Sequence, residues 1–570
     1  MEQNLSLYLH IPFCVRKCLY CDFLSGPQSA DVQEQYVEAL CREIQETSPE
    51  YREYQVVSVF IGGGTPSVLL PEQTIRIMET LKSCFILTNT CEISMEMNPG
   101  TVTPEKMNAY RACGINRISI GLQSANDGEL KALGRIHTCA DFLKAYEMAV
   151  EAGFTNINVD LMSAIPEQTL KSYQETLQKV LTLQPQPVHI SAYSLIVEEG
   201  TPFYEQELNL PDEETERRMY EITDDILRKA GYHRYEISNY AKAGKECVHN
   251  KVYWQRGNYL GLGIGSASLI QNVRFHNVTD ISSYVNLVLG ENSIGNEIEN
   301  ASKEHGEKFQ AEKDCLKKSN DEKECLKKSN AGKNDLKKEN AEKEQVEKLT
   351  AEKEHVEKVK TEIENVKKDN IEKNSAEEGN TEKNNIQSGN AACPDKNMIG
   401  RVKKLREEVQ ELPVEEQMEE FMFLGLRMME GVSERIFFEN FGRRFEEVFP
   451  GVIEKHEKLG LLEVTGEDAG KIEIKEEPDL NEKCQEEQQG KEECQEEQQE
   501  EQRKEKQEGK LQQEEQRKEK QEGKLQQGEQ RKEKQEGKLQ QEERGREFVR
   551  LRLTPHGIDV SNQVFVDFML

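Results

Sequence analysis

Between residue 5 and about residue 230, short β-rich apolar runs alternate with longer amphipathic stretches. The runs 5–11, 56–61, 93–97, 117–123, 156–165 and 188–195 predict strands, and the stretches 32–46, 72–83, 104–113, 140–152 and 170–183 predict helices between them. Asp31, Pro71 and Thr103 supply helix-starting chemistry, and Gly114 and Gly153 stand where two of the helices should end. Six strand–helix units in series imply an α/β fold with a parallel sheet and right-handed crossovers. Six units are too few to close an eight-fold barrel, which leaves an open doubly wound sheet or a partial barrel.

The pattern continues through Arg234–Ser238, Val252–Trp254 and a glycine-rich run, Gly261–Gly265, and then breaks. From 298 to 411 the unit CLKKSN and its variants recur about every ten residues, with one apolar position per unit, too sparse for a heptad seam. From 468 to 547 the unit EQRKEKQEGKLQQ steps by fourteen residues, from Gln502 to Gln516 to Gln530, and only Leu511, Leu525 and Leu539 would mark a seam. Both tracts read as solvated low-complexity inserts, partly helical or disordered. Between and after them, 415–429, 433–441 and 452–459 predict three short helices, and 461–465 and 548–553 predict the two strands of a hairpin. Together these form a winged-helix-like module with the second insert at the hairpin tip, where closure entropy grows only with the logarithm of length.

Composition sharpens this division. The chain has 570 residues and a formal net charge of -31. The two inserts carry 43 basic and 53 acidic side chains, with Phe309 as their one aromatic, so they cannot offset the entropy of ordering a backbone. The remaining 376 residues have ordinary composition but are still acidic, with 32 basic and 53 acidic side chains. A face neutralising nucleic-acid phosphates is therefore not expected. Residues 412–467, with six basic and thirteen acidic side chains, likewise exclude a winged helix that reads DNA. No apolar stretch reaches the 18 residues needed to span a membrane, although peripheral membrane contact stays open. With no secretory signal ahead of the first strand, a cytoplasmic protein is expected.

Three of the fourteen cysteines cluster as CxxxCxxC directly after the first predicted strand, in YLHIPFCVRKCLYCDF from Tyr8 to Phe23. In a chain without an export signal, such a cluster points to metal rather than disulfides. Structural zinc wants four closed ligands, and no second CxxC pair is present. A cubane iron–sulfur cluster also wants four, and Cys14, Cys18 and Cys21 supply three, leaving one iron for an external ligand. Zinc with His10 as fourth ligand, or a cluster completed by a distant cysteine, are the alternatives on spacing alone.

This segment resembles the radical S-adenosylmethionine (SAM) enzymes, in which the open iron chelates SAM and reduction cleaves it to a 5′-deoxyadenosyl radical. More closely, it resembles the branch that contains oxygen-independent coproporphyrinogen III oxidase and the HemW family of haem chaperones. The resemblance covers residues 5–290, 412–467 and 548–570, and the inserts have no counterpart in it. It implies a partial (β/α)6 barrel over 1–235, a barrel extension over 236–297 and a C-terminal module that covers the barrel mouth. It implies a [4Fe–4S] cluster on Cys14, Cys18 and Cys21. It also implies SAM contacts at Gly63, Gly64 and Thr65 of the GGGTP run, at Glu96, Gln123, Arg135 and Asp160, and at the aromatic positions Tyr8 and Tyr20. His10 belongs to the same signature and is expected to support the cluster loop.

Two departures separate the branches. The oxidase carries a further cysteine two residues after the third, where this chain has Phe23. Residues 249–254, HNKVYW, match the HNxxYW motif that the HemW family associates with haem binding, with His249 to ligate iron and its aromatic neighbours to stack on the porphyrin. Against that pattern, Ala267 stands near where HemW relatives commonly have a histidine. The resemblance thus implies a cytoplasmic haem chaperone that hands haem to recipient proteins such as respiratory haem proteins. The competing expectation is oxidative decarboxylation of coproporphyrinogen III.

Overall fold

The structure is a computed structural model that describes residues 3–290, 403–467 and 548–569. Met1–Asp280 and Leu405–Leu570 form one compact unit, and Ile281–Lys404 a second. Of the second unit, the described part includes the helix Ile281–Leu289, whose Tyr284, Val285 and Val288 are buried. Apart from residues 403–411, both charged inserts lie outside the described residues.

All six expected strands form: β1 (Gln3–Ile11), β2 (Tyr54–Gly63), β3 (Leu87–Met97), β4 (Arg117–Gln123), β5 (Ile157–Ser163) and β6 (His189–Ser194). Each pairs in parallel with the next. Between them run α1 (Ala30–Thr47), α2 (Pro71–Cys84), α3 (Pro104–Ala112), α4 (Asp127–Ala132), α5 (Cys139–Glu151) and α6 (Leu170–Leu181), with α7 (Glu213–Lys229) after β6. The short, polar α4 and the strongly charged α7 were not evident in the apolar pattern. The core side of α7 consists of Met219, Thr223 and Leu227, one residue per turn, of which only two are apolar. Thr103 caps α3 as expected, whereas Ser29 rather than Asp31 caps α1. Gly114 and Gly153, with φ of 94° and 84°, follow α3 and α5 in left-handed backbone.

The remaining strands are β7 (His233–Arg234), β8 (Asn239–Ala241), β9 (Tyr259–Leu262), β10 (Ala267–Ile270), β11 (Val273–Asn277) and β12 (Arg406–Glu411). They extend the sheet to the order β12-β11-β10-β9-β1-β2-β3-β4-β5-β6-β8-β7, with β9 parallel to β1. The series β12 to β7 does not close on itself, so the architecture is a partial barrel with a large parallel sheet. Strand β12 lies within the stretch 298–411 that composition assigned to the first insert. Its residues are charged and exposed, but its backbone pairs with β11 from Val273↔Glu411 to Asn277↔Arg406, a pairing that composition does not encode.

The strands alternate, apart from register shifts at Leu5/Ser6, Val56/Ser58 and Gly121/Gln123. One face of β1 to β6 is apolar and buried, as in Leu5, Leu7 and Leu9, in Ile93 and Met95, and in Ile118 and Ile120. The opposite face carries Ser6, Ser58, Glu92, Ser94, Glu96, Arg117, Ser119, Asn158, Asp160 and Ser191. A parallel sheet covered on both faces normally reads as continuous apolar runs. Here the second face surrounds a polar cavity.

The C-terminal module contains the expected hairpin within a three-stranded antiparallel sheet of β13 (Val432–Ser433), β14 (Leu462–Gly466) and β15 (Val549–Leu553), of which β13 was not expected. Helices Val414–Gly425, Glu434–Phe441 and Val452–Lys458 pack on it through Met422, Phe437 and Ile453, in one apolar cluster with Phe445, Phe449 and Phe568. Gly466 pairs with Val549, so the chain enters and leaves the second insert from adjacent strand ends.

Candidate functional site

A cavity of about 590 Å³ lies at the carboxyl ends of the parallel strands and runs down their polar face. Of the thirteen site residues expected from the sequence, eleven line it; Tyr8 and His249 do not.

The loop after β1 brings the three cysteines to this cavity. Cys14 donates its N–H to the Gly26 carbonyl at 3.1 Å, and Leu19 donates to the Leu133 carbonyl at 3.1 Å. The Arg16 guanidinium caps the Gly134 carbonyl at 2.7 Å. His10 is buried and uses both ring nitrogens, one with the Tyr8 hydroxyl at 3.0 Å and the other with the Leu24 carbonyl of the cysteine loop at 2.9 Å. That is the supporting role expected of it, and it removes His10 as a free zinc ligand. All three cysteines are free thiols, and burial together with the neighbouring sulfurs pushes Cys14 up to about 11. Among the described residues, no three His, Cys, Asp or Glu side chains gather around one point for a single ion. A cubane asks for a different spacing, one sulfur per iron.

The GGG run is pressed against this loop. A Cβ on Gly64 would come within 2.6 Å of the Phe13 carbonyl oxygen, and one on Gly63, whose φ is 110°, within 2.6 Å of the His10 ring. Only glycine allows the two segments to close together while the backbone stays open to the cavity. Thr65 is buried and donates its N–H to the Phe13 carbonyl at 2.7 Å. At the end of β3, Glu96 accepts the Gly63 N–H at 3.1 Å. Burial, helped by the charge of Asp160, pushes the Glu96 carboxyl up to about 8. Asp160 is likewise raised by burial, although Ser119 and the Asn158 amide donate to it at 2.8 and 2.7 Å.

Gln123 ends β4 in left-handed backbone with φ of 69°, at a slip in the β4–β5 register, and accepts from the Tyr193 hydroxyl at 3.0 Å. Arg135 reaches across from the segment after α4. One of its nitrogens donates to the Gly121 carbonyl at 2.9 Å and another to the Cys18 sulfur at 3.7 Å, while its buried Nε has no partner. A guanidinium bonded to a cysteine sulfur, a collar of glycine backbone, and two carboxylates without a cation between them form a donor set that fits an anionic iron–sulfur cluster beside a cationic ligand.

Tyr20 lines the cavity and packs near Phe203, whereas Tyr8 stacks on Phe60 behind the wall. The expectation for His249 needs correction. Residues 248–254 form helix α8, and His249 is 1% exposed inside it. Its two ring nitrogens are taken by the Ser58 hydroxyl at 3.0 Å and the Tyr253 hydroxyl at 2.9 Å, and Phe60 stacks on the ring at 5.2 Å. Burial pushes it down to about 3, so it is a neutral imidazole in the core, with both ring nitrogens engaged in hydrogen bonds. Trp254 is covered by the Arg427 guanidinium at 4.3 Å and packs with Met428 of the C-terminal module. The residue of this motif that does reach the cavity is Asn250. Ala267 is exposed on β10, opposite His276.

The chain was compared with known proteins. Residues 8–180 match the radical SAM superfamily, and residues 412–468 match the HemN C-terminal domain. The haem chaperone HemW of Haemophilus influenzae is 41% identical over 267 residues, covering 46% of this chain and 69% of that protein. HemW of Bacillus subtilis is 38% identical over 288 residues, covering 50% and 76%. This chain belongs to the HemW family. Among solved structures, coproporphyrinogen III oxidase (HemN) from Escherichia coli matches at 26% identity with a TM-score of 0.46, over 51% of this chain and 70% of that one. The family brings with it a radical SAM fold, SAM and a [4Fe–4S] cluster. Among the described residues, no helix is long and apolar enough to cross a membrane.

Sequence reasoning missed Ser94, Arg117, Asn239 and Cys247, which also line the cavity. Polar residues at every second position of parallel strands mark Ser94 and Arg117, whereas Asn239 lies on the antiparallel β8 and Cys247 caps the helix Val248–Trp254.

Proposed function

We propose that this HemW-family chain is a cytoplasmic haem chaperone, which binds haem and passes it to recipient haem proteins. Cys14, Cys18 and Cys21 would hold the cluster, with Arg135 bonded to the sulfur of Cys18. Gly63, Gly64, Thr65, Glu96, Gln123, Arg135 and Asp160 would hold SAM, with Tyr20 beside it. The cluster, when bound, supplies an iron open to an external ligand. The chain's own residues place a proton-bearing carboxyl at Glu96 and orient Asp160 by two donated hydrogen bonds.

The observation that carries the reading is the convergence of the three cysteines and the SAM-type contacts on one cavity in a chain of this family, with Phe23 where the oxidase has its extra cysteine. The test is an anaerobic haem titration of the cluster-loaded chain, followed at the Soret band and by quenching of Trp254, the chain's one tryptophan. Saturable binding, followed by transfer to an apo haem protein without SAM cleavage, is expected. Carbon dioxide released from coproporphyrinogen III in step with SAM cleavage would replace the chaperone by the oxidase.

A further inference from the structure

The inner end of the cavity lies below the residues assigned to cluster and SAM. Ser94 pairs with Arg117 across β3 and β4, two residues deeper than the Glu96–Ser119 pair. Arg117 is 2% exposed and lines the cavity, yet its guanidinium is only partly used. Its Nη1 donates to the Asn156 side chain and to the Lys245 carbonyl, both at 3.2 Å. The same atom makes a long 3.5 Å contact with Glu92. Its Nε and Nη2 hydrogen-bond to nothing among the described residues. Glu92 is held instead by the Val248 N–H at 2.9 Å and the Cys247 thiol at 3.4 Å.

Other groups on this wall are also unpaired. The Ser94 hydroxyl and the Asn239 amide oxygen are buried without partners, and the Asn250 side chain faces the same space. A buried polar group left unpaired costs about 1–3 kcal/mol, so a wall of them is stable only if something in the cavity answers it. A planar guanidinium with free N–H groups, next to a hydroxyl, matches the two oxygens of a carboxylate.

We propose that this inner end is a second ligand subsite, in which Arg117, flanked by Ser94 and Asn250, receives the carboxylate of a ligand other than SAM. The source could be the propionate arm of a tetrapyrrole or a free small carboxylate. The structure favours the first if the chain carries haem, and to that extent the identification rests on the proposed function.

The experiment uses the cluster-loaded full chain and three probes: haem, haem dimethyl ester and sodium propionate. Because Arg117→Gln alone strands a buried Glu92, the double variant Glu92→Gln/Arg117→Gln removes both charges while keeping their volume. Ser94→Ala and Asn250→Ala test the flanks with little risk to folding. Wild type should bind haem at least tenfold more tightly than the ester, and the double variant should bind the two alike. If haem and ester bind alike but propionate raises the wild-type melting midpoint and not that of the double variant, the subsite stands and its ligand is a free carboxylate. If no haem binds at all, the chaperone reading falls, and the propionate arm decides the subsite alone. Equal binding of haem and ester together with no effect of propionate overturns the subsite and leaves water as the occupant.

Discussion

Glu96 shows how one side chain couples stability to binding. Its carboxyl keeps a proton up to about pH 8 in the fold, whereas an ordinary glutamate loses it near 4.5. Between those values the unfolded chain is deprotonated and the folded one is not, so Glu96 lowers stability progressively as pH rises through that window. Glu96→Gln should therefore flatten the loss of stability between about pH 5 and pH 8 in urea unfolding of the ligand-free protein. The same change should weaken SAM by about tenfold or more, roughly 1.4 kcal/mol, in equilibrium dialysis. His249 carries the opposite sign. An unfolded histidine takes a proton below about 6.5, and this one resists until about 3, so it costs stability as pH falls through that range. His249→Ala would empty a buried ring position and strand the hydroxyl of Tyr253, while Ser58 keeps its bond to Ser6, a loss of roughly 2–4 kcal/mol. Denaturant unfolding measures it, and a variant as stable as wild type would contradict the buried position of the ring. The residue type alone could not show this, because a histidine beside two aromatics suits a haem ligand and a core histidine equally well.

Whole elements were easier to read than single residues. The cysteine loop, the glycine run and the six strands follow from local pattern, since each strand needs only its alternation and each helix its apolar stripe. What the pattern did not convey is the role of α8, which joins the barrel to the C-terminal module. Arg256, two residues beyond α8, and Arg274 of β11 converge on Glu420 of the helix Val414–Gly425, at 2.8 and 2.7 Å. Trp254 lies under Arg427, which in turn pairs with Glu236 at 3.7 Å. Glu420→Ala should leave Arg256 buried beside Arg274 without its counter-ion, a cost of about 3–5 kcal/mol. Faster amide exchange across 414–466, with exchange in β1 to β5 unchanged, is the expected signature. Uniform acceleration would mean that the module and the barrel unfold as one piece.

For the whole molecule, the boundary of the first insert decides how much of the chain can be removed. Strand β12 belongs to the sheet, and the Leu405 carbonyl accepts the Val278 N–H at 2.8 Å. Deleting 298–402 should leave the cluster absorbance and SAM binding intact. Extending the deletion to 411 should strip β11 of its outer partner and lower the melting midpoint by several degrees, as measured by calorimetry. Equal midpoints for the two deletions would mean that β12 adds nothing to the sheet.

The sequence by itself determined the six parallel strands and five of the helices between them, the cysteine loop and the two charged tracts, because these depend on neighbours within a few residues. It also marked eleven of the residues that line the cavity, since residues at the carboxyl ends of parallel strands must face the same mouth. Only the tertiary structure decided that His249 is enclosed between Ser58 and Tyr253, that β12 pairs with β11 across the first insert, and that Arg117 lines the polar cavity. Those outcomes depend on contacts between residues far apart in the chain, such as Ser58 and His249 at 191 positions and Arg117 and Lys245 at 128, where burial and hydrogen-bond partners are set by packing rather than by local composition.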